Sequence, residues 1–310
     1  MSLDRLIEKI ERTQNPTVAG LDPKLDYVPE YIKRKCFDKY GETLKGAAKA
    51  ILEFNKGLID ALCDIVPAVK PQAAYYEMYG APGVKALYKT QEYARSKGMY
   101  VITDAKRNDI GATMEAYATA HLGKVKVGSS EFEPFLGDAL TVNGYLGSDG
   151  IKPLLKTCSE YDKGIFVLVK TSNPSGGELQ DKLIEGKPVY EVMGEMCAKW
   201  GEELGGVYGY SGVGAVVGAT YPEQLTELRK KLPTVFFLIP GYGAQGGTAK
   251  DIGGAFDEKG LGGIVNSSRG IMCAYQKQKC DEHDFAGAAR REAIRMRDEI
   301  MGIVGKISLK

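Results

Sequence analysis

Eight short apolar segments recur along this chain, each followed by a longer stretch with helical spacing, and that alternation narrows the folds open to it. The segments fall at residues 17–21, 65–70, 99–104, 139–143, 165–170, 215–219, 235–239 and 263–266. Most are unbroken apolar runs rather than alternating ones, the pattern of parallel strands covered on both faces. Helical patterns lie between them at 45–62, 83–96, 114–122, 190–204, 222–231 and 285–301, and residues 1–10 form an amphipathic helix with Leu3, Leu6, Ile7 and Ile10 on one side. In a chain of 310 residues, 44% hydrophobic, this repetition predicts one α/β domain closed as a (β/α)8 TIM barrel. A doubly wound open sheet is the alternative, because alternation does not by itself reveal closure. Two intervals exceed a minimal strand-to-helix connection, 22–41 and 171–188, and long loops on such a scaffold are usually lids or binding loops.

The third unit concentrates charge. Thr103-Asp104-Ala105-Lys106-Arg107-Asn108-Asp109-Ile110-Gly111 sets two acids and an ammonium where a buried run ends. On a strand, Asp104 and Lys106 share a face, and Asp109 lies beyond it in the approach to a helix. Two ordinary explanations stand beside a functional one: an Asp104–Lys106 ion pair, and Asp109 as a helix N-cap.

In a barrel, the carboxyl ends of the strands form the active face. The polar residues falling there are Asp22, Lys70, Asp104, Lys106, Asn143, the 170–172 stretch with Ser172, and Thr220. After the seventh run comes Pro240-Gly241-Tyr242-Gly243-Ala244-Gln245-Gly246-Gly247, and after the eighth Asn266-Ser267-Ser268-Arg269-Gly270. Glycines free backbone amides for close approach, and the planar fork of Arg269 matches a phosphate, which barrels commonly hold with these two loops. A plain turn and a surface charge are the simpler alternatives.

Other chemistries lack their residues. The two histidines, His121 and His283, miss the strand ends, which argues against a histidine triad or a histidine-rich metal site. No Gly-x-Gly-x-x-Gly follows the first run, so a dinucleotide is not expected. Net charge is +1 with dispersed basic residues, so neither a nucleic-acid nor a membrane partner is expected. Six scattered cysteines without a Cys-x-x-Cys pair, and an N-terminus unlike a signal peptide, suit reduced thiols in a cytoplasmic protein.

Taken in order, these residues resemble the orotidine 5′-phosphate decarboxylase family, across most of the chain. The matching parts are Gly20-Leu21-Asp22-Pro23, Lys70, Asp104-x-Lys106-x-x-Asp109-Ile110 with Thr113, Val169-Lys170-Thr171-Ser172-Asn173-Pro174, the 240–247 loop and Ser268-Arg269-Gly270. Its length and the Asn173-Pro174 pair are similar to the longer bacterial subgroup rather than the compact archaeal form. The resemblance implies conversion of orotidine 5′-phosphate to UMP and CO2 in pyrimidine biosynthesis, without metal or organic cofactor. It implies Lys70, Asp104, Lys106 and Asp109 as the charged array, with Asp22 and Asp109 on the ribose hydroxyls. Ser172 would contact the pyrimidine, while Gln245 and Arg269 hold the phosphate, with Pro240, Gly246, Ser268 and Ile110 close by. Asp109 and Thr113 would come from a neighbouring subunit of a homodimer. Ser268 departs from the compact members, which have glycine there, and Asn143 is placed near the substrate only by its strand-end position. Two rivals remain: a metal-dependent decarboxylase or aldolase of the same barrel group acting on a keto-sugar phosphate, and a non-catalytic phosphate-ligand-binding barrel.

Overall fold

A computed structural model describes residues 1–243 and 246–309. Eight parallel strands close a barrel: β1 (Thr17–Leu21), β2 (Ala68–Pro71), β3 (Tyr100–Arg107), β4 (Ala139–Val142), β5 (Gly164–Lys170), β6 (Val213–Val217), β7 (Phe237–Ile239) and β8 (Gly263–Ser267). Each strand pairs with its neighbours in sequence, and β8 returns to β1 through Thr17 against Val265 and Ala19 against Ser267. The closed (β/α)8 barrel is therefore the fold, and the open sheet is excluded.

Alternation along each strand builds the cores. Inward-facing Val18, Ala68, Tyr100, Ile102, Ala139, Phe166, Phe236 and Ile264 fill the interior. The helix Ser2–Thr13 closes the floor with Leu3, Leu6, Ile7 and Ile10, all buried against that cluster. Outward-facing residues such as Leu21, Val69 and Val101 meet one arc of helices, including Leu44–Leu62 and Phe285–Val304. Residues such as Val142, Val167 and Ala215 meet the opposite arc. The helix Leu44–Leu62 begins where the Thr43 hydroxyl accepts the Gly46 amide at 3.1 Å, an N-cap followed by a long apolar stripe.

The interval 22–41 is not one long loop: after a short turn it forms the helix Glu30–Tyr40. Only Ile32 and Cys36 of that helix are buried, so it carried little apolar periodicity to read. The interval 171–188 holds a short helix, Gly177–Gln180, and a small hairpin pairing Leu183–Ile184 with Lys187–Pro188. The helix Ser148–Tyr161 and the hairpin of Val125–Val127 with Ser130–Phe132 also went unforeseen, the helix because Pro153 sits inside it. Among the described residues, no helix is long and apolar enough to cross a membrane.

Candidate active site

Two residues beyond the apolar interior, the same inward register changes character. Lys70 follows Ala68, Asp104 follows Ile102, Thr141 follows Ala139 and Asn266 follows Ile264. On β5 to β7 that layer stays apolar, with Leu168, Val216 and Leu238. The result is a cavity of about 520 Å³ at the carboxyl end of the barrel, charged on one wall and greasy on the other.

Asp104 organises the charged wall. Its Oδ2 accepts from the Lys70 ammonium at 2.6 Å and from the Gln72 amide at 3.0 Å. Its Oδ1 accepts from the Lys106 ammonium at 2.6 Å and from the Thr141 hydroxyl at 2.8 Å. Every acceptor position of the carboxylate is used. Burial alone would push its pKa up, but the two ammonium charges outweigh that and hold the carboxyl well below its ordinary range. Burial likewise opposes the charge on Lys70, yet Asp104 and Asp22 more than offset it and raise its pKa. Lys70 and Asp104 are almost fully enclosed, while Lys106 is 45% exposed and faces the open cavity.

This arrangement depends on a break in the sheet. Thr103 of β3 opposes Leu140 of β4, but Val142, two residues on, opposes Arg107, four residues on. The excess residues form a bulge at Asp104–Lys106, where Lys106 takes a φ of 51°. Strand alternation alone therefore does not explain why Asp104 and Lys106 meet.

The remaining predicted residues divide. Asp22, Ser172, Pro240, Ser268 and Arg269 line the cavity with the array. Asp22 Oδ1 is buried without a hydrogen-bond partner. A side chain on Gly20 would put its Cβ 1.9 Å from Ser268 Oγ, so only glycine lets β1 pass this close to the loop after β8. In the loop after β7, Gly241 and Gly246 have φ of 95° and 96°, conformations that glycine adopts without strain. Gln245 lies outside the described residues, and Gly246 is exposed beside the cavity rather than in its wall. Ser172 is held through its carbonyl, which accepts from Thr220 Oγ1 at 3.2 Å. Beneath it, the buried Lys170 ammonium pairs with Asp181 at 2.5 Å and lies 4.3 Å from the Tyr221 ring centre, tying down the 171–188 segment.

Asn143, Asp109, Ile110 and Thr113 are not brought to the cavity of this chain. Asn143 is exposed and its side chain accepts the Tyr145 amide at 3.0 Å. Asp109 accepts the Ile110 amide at 2.8 Å and does not cap the helix Gly111–Leu122, whose first turn carries the exposed Thr113. Ile110 is 53% exposed, and Tyr145, Leu146, Leu179, Leu183 and Ile184, also in the segments that follow β3 to β5, are exposed too. Sequence reading missed Gln72 and Thr141. Counting two residues on from the inward Ala139 would have found Thr141, and Gln72 bridges Asp104 just past the end of β2. His121 sits on a helix as expected, stacked on Phe135 at 5.0 Å, and burial, aided by the Arg107 charge, lowers its pKa to about 4.

Of the charged residues in the described wall, four are cations, Lys24, Lys70, Lys106 and Arg269, against Asp22 and Asp104, so the cavity favours an anion. A closed parallel barrel with a charged cavity sunk in its carboxyl face has the architecture of the barrel enzymes, whose active sites lie at that face. The profile of the orotidine 5′-phosphate decarboxylase / HUMPS family matches residues 43–280. A Rhodopirellula baltica orotidine 5′-phosphate decarboxylase is 43% identical over 297 residues, 94% of this chain and 96% of the relative. The enzyme of that name from Clostridium perfringens strain 13 is 44% identical over 301 residues, 97% of this chain and 98% of the relative. Among solved structures, the Leishmania donovani OMP decarboxylase superposes with a TM-score of 0.75 at 30% identity, covering 98% of both chains. The chain belongs to the orotidine 5′-phosphate decarboxylase family, and with it to the carboxy-lyases.

Proposed function

We propose that this barrel decarboxylates orotidine 5′-phosphate to UMP and CO2, without a metal or organic cofactor, in the de novo pyrimidine route. The observation that carries the reading is Asp104 held at 2.6 Å by both Lys70 and Lys106 in the cavity wall, with Lys106 left facing the opening. When the C6–CO2 bond breaks, its electron pair stays on C6 in the plane of the ring, where the π system cannot take it up. The Lys106 ammonium stabilises that charge as it develops and then passes a proton from Nζ to C6, and the resulting amine regains a proton from solvent. Lys70 keeps Asp104 charged, and Asp104 fixes the position of Lys106. Because it is ionised and has no proton to donate, Asp104 acts on the departing carboxylate through charge and not through a hydrogen bond.

Arg269 and Gln245 grip the phosphate with help from Pro240, Gly246 and Ser268, Ser172 meets the pyrimidine, and Asp22 takes a ribose hydroxyl. Binding energy from the distant phosphate then aligns the ring with Lys106. The working unit is a homodimer in which Asp109 of the partner subunit completes the array and the partner subunit's Thr113 joins it. The exposed apolar residues around Ile110, Tyr145 and Leu183 support that assembly. Six free cysteines suit a cytoplasmic location.

The test is loss of orotidine absorbance on mixing the protein with orotidine 5′-phosphate in the presence of a chelator. Turnover is expected. A requirement for added divalent metal would favour the keto-sugar-phosphate reading, although the Lys70 ammonium stands where such an ion would need an acid. Lys106→Ala is expected to bind UMP with little change and to lose at least about 1,000-fold in kcat, as for removal of a charge used in the transition state. A near-normal rate in that variant refutes the assignment of Lys106.

A further inference from the structure

The bulge in β3 leaves two backbone amides, those of Ala105 and Lys106, without ladder partners on β4. Both donate to one atom, Thr141 Oγ1, at 3.1 Å each. The same hydroxyl donates to Asp104 Oδ1 at 2.8 Å. A hydroxyl has one proton and two lone pairs, so this one is saturated. With both lone pairs filled by amides, its proton has a single destination, and the Asp104 oxygen that receives it must be unprotonated. Thr141 is 1% exposed and sits on the neighbouring strand, so it is held by the barrel and not by the charges it serves.

We infer that Thr141 is a positioning residue for decarboxylation: its hydroxyl locks the β3 bulge that turns Lys106 into its left-handed backbone conformation and fixes Asp104 as an acceptor. The inference rests on the proposed decarboxylase reading and deepens it. Valine has the shape of threonine without the hydroxyl. In Thr141→Val, both amides lose their acceptor, Asp104 loses a donor, and the backbone relaxes away from the positive φ of Lys106. The ammonium remains in the cavity but is no longer held at the carbon it must serve, and a displacement of about 1 Å there costs on the order of 100-fold in rate.

The experiment measures kcat and KM for orotidine 5′-phosphate, UMP affinity and the kcat–pH profile of wild type, Thr141→Val and Thr141→Ser. The wild type must turn over first, since an inactive wild type overturns the function reading itself. Given that, Thr141→Val is expected to lose about 100-fold in kcat, with UMP affinity and KM within a few-fold. Its acid limb should move to higher pH, because Asp104 has lost a donor that favours its charged form. Thr141→Ser, which keeps the hydroxyl, should recover most of the rate and the wild-type pH limb. A folded Thr141→Val with kcat within threefold of an active wild type overturns the inference while leaving the decarboxylase reading intact. So does a Thr141→Ser no faster than Thr141→Val. If Thr141→Val does not fold, Thr141→Cys, whose thiol is a weak hydrogen-bonding group, is measured under the same criteria.

Discussion

Replacing Lys70 by methionine isolates the enclosed half of the charged array. The ammonium and Asp104 are 5% and 8% exposed and 2.6 Å apart, so the substitution removes one member of a buried pair and leaves the other in place. Breaking such a pair costs about 3–5 kcal/mol. Asp104 keeps Lys106, Gln72 and Thr141, so the low end applies: about 3 kcal/mol, or a fall of roughly 4–5 °C in Tm for a chain of this size. The pH dependence has a definite sign. The Asp104 carboxyl is depressed in the folded protein, so its stabilisation is present above the ordinary carboxylate range and fades as pH falls through its folded value. Lys70 is raised, so its stabilisation is complete below its unfolded value and fades at strongly alkaline pH. The gap between wild type and Lys70→Met should therefore be full near pH 7 and shrink toward both extremes. Urea unfolding at a series of pH values reads it directly. Adding Asp104→Leu to Lys70→Met should recover most of the lost stability, because a buried pair replaced by apolar groups is close to neutral, while activity stays lost. A Lys70→Met protein as stable as wild type at pH 7 would show that the pair is not held as described.

Arg269→Ala is expected to lower kcat/KM for the phosphorylated substrate by about 10–100-fold, the worth of a charge-assisted phosphate contact, while scarcely affecting the unphosphorylated nucleoside. Equal losses for both would remove Arg269 from the phosphate. Mixing Lys106→Ala with Asp109→Ala protein under subunit exchange should restore activity through one intact composite site, whereas no recovery despite confirmed exchange rules out sharing of Asp109. His121 is neutral when folded, with its pKa lowered to about 4, so the unfolded chain binds its proton first and stability should fall as pH drops from about 6.5 toward 4, by up to about 3 kcal/mol. His121→Phe should flatten that limb in acid-unfolding curves, and an unchanged slope would place the proton uptake elsewhere.

The barrel was legible because buried parallel strands must be apolar on both faces, which prints each strand as an unbroken run. The strand 17–21 was read to the residue. The helix Glu30–Tyr40 was not, since it buries only two side chains and so left no stripe to detect. The same limit applied at the site. Lys70, Asp104, Lys106 and Arg269 announce themselves as charges at strand ends, and the structure gathers them around one cavity. Thr141 and Gln72 are uncharged, common residue types whose importance lies wholly in what they touch. The bulge that joins Asp104 to Lys106 was also invisible, because pairing register is a property of two strands and no single segment encodes it.

The amphipathic helix Ser2–Thr13, seated under Tyr100, Phe166 and Phe236, makes the barrel a cul-de-sac. With that floor packed, the described cavity opens at the carboxyl face, and in the proposed reaction the nucleotide would enter there and the gas it sheds would meet a closed floor. In the proposed reaction, CO2 and the nucleotide therefore share one opening, and the segments that frame it stand in the path of both products.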